Sequence, residues 1–115
     1  MGQNVLITGV AGFIGSKVAQ KFCDENYNVF GVDDLSSGKY SNIPKQVKFI
    51  KGDLSNINIL KKLPKRCEKI LHLAGQSSGE ISFENPSLDL RKNTTSTLNL
   101  IHYGIKKKSK INNLC

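Results

Sequence analysis

The stretch VLITGVAGFIG, Val5 to Gly15, most constrains what this chain can fold into. A largely apolar run stops at Gly9, and Gly12 and Gly15 follow at intervals of three. Directly after it, Ile14, Val18 and Phe22, with Ala19 and Cys23 beside them, fall on one face of a helix that ends near Asn26. A strand that turns at once into a helix aims the helix's first N–H groups, and the positive end of its dipole, at whatever lies above the turn. A pyrophosphate suits that position. Gly9 permits the sharp turn, Gly12 lets backbone approach phosphate with no Cβ in the way, and Gly15 lets the helix press against the sheet. The pattern G-x-x-G-x-x-G has a longer first gap than the G-x-G-x-x-G fingerprint of dinucleotide-binding turns, but it occupies the same strand-to-helix context.

Farther along, short β-branched runs alternate with helical patterns, the signature of parallel βαβ units. Strands are expected at Asn4 to Thr8 and over NVFGVDD, VKFIKGD and KILHLAG. SNINILKKLP reads as a short helix stopped by Pro64. After a loop from Gln76 to Glu84, a long helix starts about Pro86. Its apolar face is expected at Leu90, Thr94, Thr97, Leu98, Ile101 and Ile105, with Lys106 to Lys108 at the negative end of its dipole. Right-handed crossovers give a parallel sheet of order 3-2-1-4. The fold class is therefore α/β, the N-terminal part of a doubly wound Rossmann fold, forming one domain over residues 1–115. The tail, KSKINNLC, offers at most a remnant of a fifth strand, because Asn112 and Asn113 interrupt the apolar run that a buried parallel strand wants. Strand four would then carry a poorly paired edge, and self-association through it is expected.

Composition narrows the function classes. With 115 residues the chain is one domain at most, and 38% hydrophobic and 23% charged residues describe a globular chain. No stretch reaches the roughly 18 apolar residues of a membrane span, and the N-terminus has no basic region followed by a long apolar segment. MGQNVL starts like a myristoylation site but has Leu6 where Ser or Thr is needed. A cytoplasmic protein is the expectation. Cys23, Cys67 and Cys115 are odd in number and far apart, which argues against a disulfide framework or a zinc site. The net charge of +8 raises nucleic acid as a partner. However, the lysines are scattered, with runs only at Lys61 to Arg66 and Lys106 to Lys110, and no aromatics interleave with them.

At the end of strand two stands Asp33, 18 residues after Gly15, where a carboxylate can accept hydrogen bonds from both hydroxyls of an adenosine ribose. A 2′-phosphate would meet like charge from Asp33 and Asp34, and the following loop has no arginine. NAD is thus expected rather than NADP. The alternative is an acidic turn before SSGK with no ligand.

With TGVAGFIG, VDDLSSGK, GDLS and HLAGQSS in order, the chain resembles the extended short-chain dehydrogenase/reductase family, specifically its NAD-dependent nucleotide-sugar epimerases and dehydratases. The likeness runs to about Lys108. It implies that Gly9, Gly12, Phe13, Ile14 and Gly15 form the pyrophosphate turn and Asp33 the ribose ligand. It also implies that Asp34, Ser36, Ser37 and Gly38 wrap the adenosine, and that Asp53 and Leu54 meet the adenine edge. Leu73, Ala74 and Gly75 would pass under the nicotinamide half, and Asn93 would support the site from a helix. Asp53 could equally cap the helix that starts near Ser55, and Asn93 could be a solvated helix residue. His72, in an apolar strand, reads as a packed core histidine rather than a base.

In that family a tyrosine exchanges the hydroxyl proton during hydride transfer, aided by a lysine four residues later and a serine at the end of strand five. Here the one such spacing, Tyr103 and Lys107, lies in the helix after strand four, before any fifth strand could supply the serine, so no catalytic residue is assigned. A surface tyrosine beside a basic helix end is the plainer account of Tyr103. The expectation is the NAD-binding part of such an enzyme, cut short by a frameshift, an early stop or a chosen boundary, inactive alone, with a nucleotide sugar as substrate only in a full-length relative. A binding or regulatory module complemented by another chain, and a basic interaction protein without cofactor, are the alternatives.

Overall fold

The computed structural model describes residues 3–73, 95–104 and 110–113, the last by backbone alone. Five strands, β1 (Asn4–Thr8), β2 (Asn28–Asp33), β3 (Lys48–Lys51), β4 (Lys69–His72) and β5 (Lys110–Asn113), form one sheet in the order β3-β2-β1-β4-β5. Every pairing is parallel. Helix α1 (Phe13–Asp24) joins β1 to β2, and α2 covers 95–104 between β4 and β5. Two 3-10 segments, Tyr40–Asn42 and Ile57–Lys62, occupy the other connections.

β1 lies at the centre, and successive side chains leave a strand on opposite faces, so both faces must be apolar. Val5 and Ile7 join Val10, Ala19, Val29 and Leu71 under α1, while Leu6 joins Val32, Leu54, Ile70, Leu100 and Tyr103 on the other face. All three β1 side chains are fully buried. Each such burial contributes about 1.5–3 kcal/mol, which is why VLI admits no polar residue. Because the sheet is parallel, the carboxyl ends of β1, β2 and β3 share one edge.

Several sequence expectations need correction. The four expected strands form in the expected order, and the tail supplies the remnant of a fifth: KINN forms β5, pairing Leu71 with Asn112 and His72 with Asn113. Backbone pairing at an edge strand does not require apolar side chains on both faces, so the asparagines do not end it. β4 consequently has neighbours on both sides, and its edge is not open. The segment before Pro64 is 3-10 rather than α-helical. In α1, Gly15 and Ala19 are buried and Val18, Phe22 and Cys23 pack against the core, but Ile14 stands 63% exposed. In α2 the buried positions are Ser96, Leu100, Tyr103 and Gly104, whereas Leu98 and Ile101 face outward. The spacing 96, 100, 103 is itself helical, but Ser and Tyr on it concealed the inward stripe. The Gln76 to Glu84 loop, the helix start at Pro86, Leu90, Thr94, and Ile105 to Lys108 lie outside the described residues.

Candidate functional site

The glycine turn is built as its sequence requires. Gly9 adopts φ 71°, a left-handed conformation that only glycine takes without strain, and its N–H donates to Val32 O at 2.9 Å. Gly12 is the N-cap of α1 and donates to Gly9 O at 3.1 Å. A Cβ on Gly15 would overlap the Gly9 carbonyl oxygen and come within 2.8 Å of its carbon, so backbone packs on backbone where the helix leaves the sheet. α1 has no side-chain cap and no acid in its first turn. Its first amide groups therefore meet no carboxylate from the helix itself, the arrangement that suits an incoming anion. Phe13 and Ile14 project from this turn, 75% and 63% exposed, and Lys17 Nζ lies 4.9 Å from the Phe13 ring centroid.

Asp33, at the end of β2, is bound into the same turn. Its Oδ2 accepts the Ala11 N–H at 2.9 Å and its Oδ1 the Leu35 N–H at 2.8 Å. The carboxylate thus links the glycine turn to the loop that follows β2, where Leu35 sits at φ 63°. The far side of the Ala11 peptide is held as well, since its carbonyl accepts from Lys39 N–H at 3.2 Å and from Asn42 Nδ2 at 3.0 Å. Gly38 packs so closely there that a Cβ would come within 2.6 Å of the Ala11 carbonyl. Asp34 accepts the Ser36 N–H at 2.9 Å and its hydroxyl at 2.7 Å, and Ser36 and Ser37 are exposed.

Beside Asp33 comes the end of β3. Gly52 N–H donates to Asp33 O at 3.1 Å, after which Asp53 Oδ1 accepts both the N–H and the hydroxyl of Ser55, at 2.9 and 2.8 Å. Asp53 therefore caps the turn before the 3-10 segment, and Leu54 is buried. At the end of β4, Leu73 is buried and its N–H donates to Thr8 Oγ1 at 2.9 Å. His72 is a core histidine: Nδ1 lies 2.8 Å from Thr8 Oγ1 and Nε2 3.0 Å from Thr97 Oγ1, and burial pushes its pKa below the ordinary 6.5.

The structure thus brings Gly9, Gly12, Phe13, Ile14, Gly15, Asp33, Asp34, Ser36, Ser37, Gly38, Asp53, Leu54 and Leu73 to the carboxyl ends of β1 to β4 and the adjoining loops. Ala74, Gly75 and Asn93 lie outside the described residues. Tyr103 is corrected, being 4% exposed rather than on the surface. Its hydroxyl donates to Pro64 O at 2.6 Å and burial raises its pKa, the opposite of what a catalytic tyrosine needs. Sequence reasoning missed Thr8, Asn42, Thr97 and Asn99, whose partners lie 25 to 65 positions away. Only the polarity of Thr8 in an apolar strand offered a signal.

Comparison with known proteins agrees with this geometry. The profile of the NAD dependent epimerase/dehydratase family matches residues 5–114. The UDP-glucose 4-epimerase of Mycolicibacterium smegmatis is 35% identical over 101 residues, covering 83% of this chain and 32% of that protein. Among solved structures, the UDP-glucose 4-epimerase of Thermotoga maritima with UDP-glucose superposes with a TM-score of 0.90 at 35% identity, over 96% of this chain and 37% of the other. That of Thermus thermophilus in complex with NAD gives 0.81 at 32% identity, over 92% and 35%. The chain spans about a third of the length of the curated relatives it matches. From a glycine turn bound to Asp33, a five-stranded parallel sheet and a family match over nearly its whole length, the chain belongs to the NAD dependent epimerase/dehydratase family.

Proposed function

We propose that these residues are the NAD-binding part of a nucleotide-sugar epimerase or dehydratase, with the dinucleotide lying over the glycine turn. The observation that carries this is the contact of Gly15 with the Gly9 carbonyl, beside an Asp33 carboxylate tied to the same turn. Amides at the start of α1 hold the diphosphate, and Gly9, Gly12 and Gly15 keep side chains out of its way. Asp33 accepts the ribose hydroxyls, and its charge beside Asp34 disfavours a 2′-phosphate. The loop with Ser36, Ser37 and Gly38 borders the adenosine, Asp53 and Leu54 the adenine, and Phe13 and Ile14 the turn's open face. Leu73, with Ala74 and Gly75 after it in sequence, borders the nicotinamide half, and Asn93 supports that end. When bound, NAD supplies a hydride acceptor at its nicotinamide ring.

The 115 residues taken by themselves bind NAD without turning over a nucleotide sugar, because their one Tyr-x-x-x-Lys spacing begins with a buried, hydrogen-bonded Tyr103. Titration with NAD by calorimetry tests the reading. Asp33→Ala should weaken binding by roughly 1.5 to 3 kcal/mol, the range for hydrogen bonds to a charged group. Equal affinities of the two proteins would refute the role of Asp33, and no binding by either would refute the cofactor.

A further inference from the structure

Asn99, on α2 next in sequence to buried Leu100, is itself partly buried. A partly buried amide gives up water contacts unless a protein partner replaces them. The Asn99 Nδ2 donates to the Leu54 carbonyl at 2.8 Å, across 45 positions of sequence. That carbonyl belongs to the turn after β3, whose other bonds include local ones, Asn56 N–H to Asp53 O at 3.0 Å and Ser55 to the Asp53 carboxylate, and a tie to β2, Gly52 N–H to Asp33 O at 3.1 Å. The local bonds wind the turn, while the Gly52 bond and the buried Leu54 side chain hold it against the sheet. The bond from α2 adds a further hold, on the rotation of the Leu54 backbone against a helix. Two residues earlier on the same helix, Thr97 meets His72 at the end of β4. One turn of α2 therefore anchors both the β3 and β4 ends of the site.

We propose that Asn99 is a positioning residue for adenine recognition: through the Leu54 carbonyl it holds the Asp53–Leu54 backbone and carboxylate in register with the base, and so sets the preference for adenine. This rests on the NAD reading above and extends it to a residue that touches no ligand. Adenine presents an exocyclic donor beside a ring acceptor, and hypoxanthine presents the reverse pattern. An accurately oriented turn distinguishes the two, whereas a loose one does not.

The test titrates NAD and nicotinamide hypoxanthine dinucleotide, by calorimetry, into the wild-type chain, Asn99→Leu and Asn99→Asp. Asn99→Asp keeps the shape of the side chain but exchanges the donor for an acceptor, so it reports even if the leucine variant fails to fold. Both variants should weaken NAD by roughly tenfold and the hypoxanthine analogue by less than about twofold, so that the adenine preference largely disappears. A purely structural role would lower the melting temperature and both affinities together, keeping their ratio, and that result overturns the proposal. A wild-type chain that binds NAD without preferring adenine also overturns it, while leaving the cofactor reading intact. Failure of the wild-type chain to bind either dinucleotide overturns the cofactor reading, and this inference with it.

Discussion

Gly15 shows how one missing methyl group can organise a site. Its Cα lies where any Cβ would enter the Gly9 carbonyl, and that carbonyl cannot yield, because the Gly9 amide is bonded to β2 and the carbonyl itself accepts from Gly12. Gly15→Ala should therefore destabilise the chain by about 1–3 kcal/mol, the usual cost of forcing extra atoms into a packed contact, as read from urea unfolding. Retained stability would mean that the helix can lift off the turn. His72 carries a pH dependence whose sign follows from its burial. Its folded pKa lies below the ordinary 6.5, so as pH falls the unfolded chain takes up the proton first. Stability from this residue is fully present above about pH 6.5 and is lost as pH drops towards the folded value. His72→Gln should flatten the decline in urea midpoint between about pH 7 and about pH 5, and an unchanged slope would remove the histidine from the account.

At the scale of elements, α2 is the informative one, because its inward stripe is only half apolar. Leu100 fills the core, while Ser96 and Tyr103 bring polar atoms with them, and Tyr103 satisfies its hydroxyl on Pro64 O. Tyr103→Phe should cost about 1 kcal/mol in chemical denaturation, the net worth of a hydrogen bond. A neutral result would indicate that the loop before β4 relaxes to satisfy Pro64 in another way. The two strand connections are also tied to each other rather than to their own elements. Ala11 is gripped by Asp33 on one side and by Lys39 and Asn42 on the other, so the glycine turn and the loop after β2 behave as one unit.

For the whole molecule, the open edges of the described sheet are β3 and β5, not β4. Lys48 and Lys51 bracket β3, the charged protection common on edges exposed to water. The self-association expected from the sequence would use one of these edges rather than β4. With a net charge of +8, the chains repel one another at low salt. Sedimentation should therefore detect more association at about 0.5 M salt than at about 0.05 M, as screening shortens the range of that repulsion. A monomer at both, at high protein concentration, would show that the edge is inert.

What the amino-acid order determined by itself was local or periodic. The apolar VLI run, three glycines at fixed spacing and Asp33 at a strand end follow from turn sterics, strand alternation and helix dipoles, and they were legible because each involves residues within a few dozen positions. Tertiary structure alone decided which face of α2 turns inward, that KINN adds a fifth strand, and which distant side chains brace the turns. Asn42 on Ala11, Thr97 on His72 and Asn99 on Leu54 are contacts between segments brought together by the sheet. The physical reason is that a polar side chain's partner is set by how distant segments pack, and no sequence period records that partner.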